Sequence, residues 1–172
     1  FCYWIEHETE RLGRIGGSPS SKFEIWMIKD KIEGTSEDFL EDEIYKWRKK
    51  YGNNAEAAFL NIRKRIVEIA EATTSGNFQI IDGIKYFALT KWKIAFLYSN
   101  YSLMPIYKNT TVRKIAKHFE FPNYTNDRLS KLHTYIVDQK EENEDFFEFA
   151  WKQYDIATHA FNRNYYVIGS KY

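Results

Sequence analysis

Lys91-Trp92-Lys93-Ile94-Ala95-Phe96-Leu97-Tyr98 is the stretch on which the fold class turns. Its first half alternates cations with larger apolar groups and its second half is uniformly apolar, the pattern of a central strand buried on both faces of a sheet. Pro105-Ile106-Tyr107 then supplies the next strand, and the two form a hairpin. Upstream, Phe1-Cys2-Tyr3-Trp4-Ile5-Glu6-His7 reads as a strand. Lys22 to Ile28 sets Phe23, Ile25 and Met27 against Glu24, Trp26 and Ile28, a strand covered at least in part on both faces. Glu43-Ile44-Tyr45-Lys46-Trp47-Arg48-Lys49-Lys50-Tyr51-Gly52 is a third strand, antiparallel to the second. The sum is an α+β chain whose twisted, mainly antiparallel sheet has about five strands.

The connections carry their own signals. Leu12 to Ser21, with glycines, a proline and serines, reads as an irregular loop rather than a two-residue hairpin turn. A polar, acidic stretch through Gly34 leads to the third strand, and Asp82-Gly83 marks a short turn. Asn54 is a good N-cap for a long helix in which Phe59, Ile62, Ile66 and Ile69 recur every three or four residues, with Gly76 as its stop. A C-terminal group of three helices follows. The first starts at Thr110 or Thr111 and buries Val112, Ile115, Ala116 and Phe119; the second runs from Asn126 through Leu129, Leu132 and Ile136. The third, Glu144 to Phe161, carries Phe147, Ala150, Trp151, Tyr154 and Ala157 on one side, and Glu144, Asp145 and Glu148 complement its positive end. Tyr165 to Gly169 is strand-like. The whole reads as one module, with the sheet and first helix over 1–108, the helical part over 109–163, and a terminal strand or the start of a following segment over 164–172.

At 172 residues the chain is long enough to bury a core without covalent staples. Its single cysteine, Cys2, has no partner within the chain and reads as a small buried residue, which suits a reducing cytoplasm. No apolar run is long enough to span a bilayer. The chain opens on Phe1 and not on methionine, which suggests a module taken from a longer protein. A net charge of +1 excludes a strongly basic nucleic-acid wrapper, so affinity for a polyanion would have to come from a local patch.

The segment 43–52 is such a patch, because Lys46, Arg48, Lys49 and Lys50 are interleaved with Tyr45, Trp47 and Tyr51. Cations reach phosphate oxygens, and flat rings stack on bases or clamp an extruded one. The same pattern also describes an ordinary half-buried strand with rings inward and charges solvated. In a regular strand Tyr45, Trp47, Lys49 and Tyr51 would face away from Lys46, Arg48 and Lys50. Candidate phosphate contacts are Arg14, Lys22, Lys46, Arg48, Lys49 and Lys50; candidate stacking rings are Tyr45, Trp47, Tyr51 and, more weakly, Trp26. Trp92 belongs to the core. A second DNA-binding reading takes Thr111 to Phe119 as the first helix of a helix-turn-helix and Asn126 to Ile136 as its recognition helix, carrying Arg128, Lys131 and His133. Glu120 to Tyr124 is longer and stiffer than the usual turn.

Catalytic chemistry is sparse. No Walker lysine motif occurs, and Gly13-Arg14-Ile15-Gly16-Gly17 lacks dinucleotide spacing, although its small residues would let backbone amides approach a phosphate. His7, His118, His133 and His159 sit at no metal-ligand spacing, and the acidic groups 37–38, 41–43 and 141–142 read as solvated turns. No catalytic residue, metal or cofactor is expected.

Tyr3-Trp4-Ile5-Glu6, Leu12-Gly13-x-Ile15-Gly16-Gly17-Ser18, Lys22-Phe23, Lys49-Lys50-Tyr51-Gly52-Asn53, Ala58-Phe59, Lys91 to Tyr98 and Tyr166 to Tyr172, in that order, resemble an N-terminal region of McrB-like proteins. Those are motor subunits of modification-dependent restriction systems. The resemblance implies a non-enzymatic DNA-recognition module in phage defence, detached from a C-terminal AAA+ GTPase domain and working with a nuclease subunit. It also implies recognition of a modified base flipped into an aromatic pocket. The other class open to the chain is a protein-interaction or assembly module of the same kind of system. One departure stands out: the resemblance places a glycine where this chain has Glu24, whose charge would repel phosphate if it faced DNA.

Overall fold

The computed structural model describes residues 1–13, 15, 20–28 and 37–159. The described chain is α+β, but its antiparallel sheet has three strands and not five. These are β1 (Ile25–Met27), β2 (Phe39–Glu41) and β3 (Tyr45–Arg48), with β3 in the centre. β1 and β3 pair as Ile25 with Trp47 and Met27 with Tyr45, the expected antiparallel match of the second and third predicted strands. The helices are α1 (Ala55–Thr74), α2 (Phe78–Gly83), α3 (Ala88–Tyr98), α4 (Asn109–His118), α5 (Leu129–Val137) and α6 (Phe146–His159).

The missing strands have definite causes. Residues 91–98 lie in α3, and every residue from Thr90 to Phe96 is buried. A helix enclosed on all sides shows no polar face, so its sequence imitates a central strand. The two lysines fit because each ammonium ends on backbone oxygens. Lys91 Nζ donates to the carbonyls of Asp82 (3.3 Å) and Ile84 (3.0 Å), and Lys93 Nζ to those of Thr9 (3.2 Å) and Gly13 (2.7 Å). Asp82-Gly83 is the end of α2 and not a free turn. Residues 105–107 form no strand; Ile106 and Tyr107 are buried in the connection to α4, and the Tyr107 hydroxyl donates to the Leu12 carbonyl.

The N-terminal stretch read as a strand is a wide π-helical turn, Trp4–Glu8, followed by a 3-10 turn at Glu10–Leu12. Burial falls on Ile5 and Thr9, a helical interval, and Thr9 Oγ1 closes the turn on the Ile5 carbonyl at 2.6 Å. Cys2 is exposed rather than buried. The predicted strand at 165–169 lies outside the described residues.

α1 is built as its sequence implies. Asn54 Oδ1 accepts the Ala57 N–H at 2.8 Å, and Gly76 ends the helix at φ +74. One hydrophobic cluster joins α1, α3 and the inner face of the sheet; a second joins α4, α5 and α6 around Val112, Ile115, Leu132, Ile136 and Phe149. Leu129 packs against both. Asp82 ties α2 to α5 through the Ser130 N–H (3.2 Å) and hydroxyl (2.5 Å).

Candidate nucleic-acid interface

The sheet divides the predicted contact residues. Trp47 packs inward, 3% exposed, with its indole N–H donating to the Gly52 carbonyl at 2.9 Å. Tyr51 is buried beside it, after the strand has given way to a 3-10 turn at Lys49–Tyr51. Neither ring is placed to stack on a base. Tyr45 is partly exposed at the end of β3, and Trp26 is half-buried, edge-on to Phe39 at 5.4 Å.

The cations are largely matched within the fold. Lys22 is buried, with its ammonium 2.7 Å from Glu6. Lys46 pairs with Glu41 at 3.0 Å. Arg48 and Lys50 converge on one buried carboxylate, that of Glu24, at 2.5 and 3.0 Å, and the Arg48 guanidinium also lies over the Phe39 ring. Lys49 is exposed with no ion pair among the described residues, and Arg14 lies outside them. A basic string in the sequence is thus partly neutralised in space, by Glu41 and by the Glu24 carboxylate that Arg48 and Lys50 share.

The helix-turn-helix reading meets a different obstacle. Ten residues, 119–128, separate α4 from α5, and His133 faces the core. Its Nδ1 accepts the Met104 N–H at 3.2 Å, its ring stacks on Trp92 at 4.9 Å, and burial lowers its pKa to about 3. It has no access to a DNA groove.

A second aromatic site splits the residues that periodicity places on one side of α6. α6 turns Phe149, Ala150, Gln153 and Ala157 inward, which leaves Phe147, Trp151 and Tyr154 outward; Trp151 is 70% exposed. These three rings form one wall of a cleft of about 600 Å³, closed on the other sides by Glu10–Gly13, Leu89 and residues 105–108 and 111. Arg11 and Lys108 line it, both exposed and neither in an ion pair among the described residues. α4 begins at the rim with no side-chain cap, so its positive end adds to these charges. The signal in the sequence was the excess of large apolar residues on α6, wider than one buried stripe requires.

Lys93 ties down the backbone that carries Arg11, since its ammonium donates to the carbonyls of Thr9 and Gly13 on either side of it. Burial lowers its pKa from 10.5 to about 8. Between those values the unfolded chain holds a proton on this lysine that the folded one has lost, so the contribution of Lys93 to stability should rise with pH from about 8 to 10.5 and stay flat below 8. Urea titrations of the protein and of Lys93→Met should diverge over that window by about 2 kcal/mol. A pH-independent difference would place the lysine's titration outside it.

Among the described residues no group of acidic, histidine or cysteine side chains is arranged to hold a metal ion, and no helix is long and apolar enough to cross a membrane. Comparison with protein-family models, curated proteins and solved structures finds no match to this chain.

Proposed function

We propose that this chain is a non-catalytic, cytoplasmic DNA-recognition module of the McrB-like kind, and that its contact surface is the α6 cleft rather than the strand at 43–52. The observation that carries the reading is the cleft itself, where Trp151 stands 70% exposed beside two cations that have no ion pair among the described residues and a helix N-terminus with no side-chain cap. A phosphate is attracted by Arg11, Lys108 and the first amides of α4, while a base, modified or not, stacks on the α6 rings. A volume of about 600 Å³ is in the range that holds one small ligand or an extruded nucleotide. GTP hydrolysis and DNA cleavage then belong to other domains or subunits.

The test is an anisotropy panel of unmodified, cytosine-modified and adenine-modified duplexes at two salt concentrations. Arg11→Glu with Lys108→Glu should weaken binding to every duplex and reduce the salt slope by about 2. Trp151→Ala should instead cut the preference among duplexes, at a cost of about 1–3 kcal/mol for the favoured one. No binding at low salt, or an unchanged slope in the double variant, would remove the cleft as a DNA site.

A further inference from the structure

A second groove lies on the inner side of the sheet, between the β2–β3 turn and the first turns of α1, with a volume of about 880 Å³ and no residue in common with the α6 cleft. Its apolar part includes Ile44, Tyr45 and Phe59; Ile44 and Phe59 are each 54% exposed. Large aliphatic and aromatic groups left together in water mark a docking surface when they are contiguous. Among the described residues the charged groups lining the groove, Asp42, Glu43 and Glu56, are all acidic and exposed. Asp42 accepts the N–H groups of Ile44 (2.8 Å) and Tyr45 (2.7 Å), which lowers its pKa and keeps it ionised. This surface repels a polyanion.

We infer that this groove binds a basic amphipathic helix from a partner protein, with aliphatic or aromatic anchors between Ile44 and Phe59 and Lys or Arg flanks against Glu43 and Glu56. The charge complement selects the sign of the partner, and the position of the groove selects its shape. An added strand would need a free edge of useful length, and the edge strand that borders the groove, β1, is three residues long and contributes Ile25 and Trp26 to the lining. Recognition there rests on side-chain anchors, the mode in which an amphipathic helix lies in an apolar channel. The module would thereby have an acidic face for a protein and a cationic cleft for a nucleic acid, which keeps the two ligands apart.

The probe is a labelled helix-forming peptide of about fourteen residues, with Leu and Trp on one face and Lys elsewhere, compared with the same peptide carrying Glu in place of Lys. Anisotropy should report binding of the basic peptide alone. Glu43→Lys with Glu56→Lys, two exposed positions outside the core, should weaken it about tenfold, and Phe59→Ser should weaken it further at constant charge. Circular dichroism checks that both variants remain folded. Equal binding of the two peptides, or an unchanged affinity in the charge-reversed variant, would overturn the inference. Neither outcome bears on the α6 cleft, so the two readings fail separately.

Discussion

Trp47→Ala should destabilise the protein by about 3–5 kcal/mol, with a matching fall in the urea midpoint followed by circular dichroism. The indole is almost wholly enclosed, beneath α1 and across from Ile25 on β1, so truncation removes a large apolar body from a place the backbone cannot collapse into. The lost contact with Gly52 adds to the cost. That glycine is itself constrained, because a Cβ at position 52 would lie 2.8 Å from both Ala57 Cβ and the Ala58 nitrogen. The Gly52 carbonyl is therefore fixed where the indole N–H meets it, at the entry to α1. Trp47→Phe separates the two effects: it keeps most of the volume, loses the hydrogen bond, and should cost about 1–2 kcal/mol. A ring used for base stacking behaves in the opposite way, leaving stability intact and changing only discrimination. A loss under 1 kcal/mol in Trp47→Ala would return this residue to the list of DNA contacts.

The contrast between Trp47 and Trp151 explains what could and could not be read from the chain. α1 was legible because its cap, its interval of three and four, and its terminating glycine all state the same structure. α4 and α5 were legible to within a few residues from their apolar intervals alone, since neither has a side-chain cap. α3 was not, since enclosure erases the polar face that identifies a helix, and Lys91 and Lys93 introduced a false alternation that only the acceptor carbonyls of 9, 13, 82 and 84 explain. On α6 the helix was evident but its rotation was not. Several apolar residues competed for the inward face, and packing against α4 gave it to Phe149, Ala150 and Ala157. The charge patch failed at longer range. Four cations in a row of ten residues are visible at once, whereas their counter-charge, Glu24, sits 26 residues before Lys50 and reaches it only through the β1–β3 pairing.

Glu24 is accordingly the position where substitution should reveal most. Residue 24 has φ +68, in the left-handed region that favours glycine and costs an L-residue about 1 kcal/mol. A glutamate held in that conformation and 2% exposed must be stabilised by what it binds, and it binds Arg48 and Lys50 as ion pairs, with the Tyr51 hydroxyl 3.5 Å away. Removing the carboxylate leaves Lys50 without its ion pair and Arg48 with only Asp38, 3.9 Å away, but both cations are partly exposed and can turn to water. The expected loss is therefore near the lower end for a broken buried pair, about 2–3 kcal/mol for Glu24→Ala. Glu24→Gly loses the same ion pairs but relieves the backbone, so it should be more stable than Glu24→Ala by about 1 kcal/mol in urea. The two variants share a second consequence. Freed from Glu24, Arg48 and Lys50 become available to phosphate, so affinity for any duplex should increase at low salt and the salt slope should steepen by up to about 2. If Glu24→Gly is the less stable of the pair, the left-handed backbone does not limit this site; if DNA affinity is unchanged in both, Arg48 and Lys50 face no nucleic acid even when released.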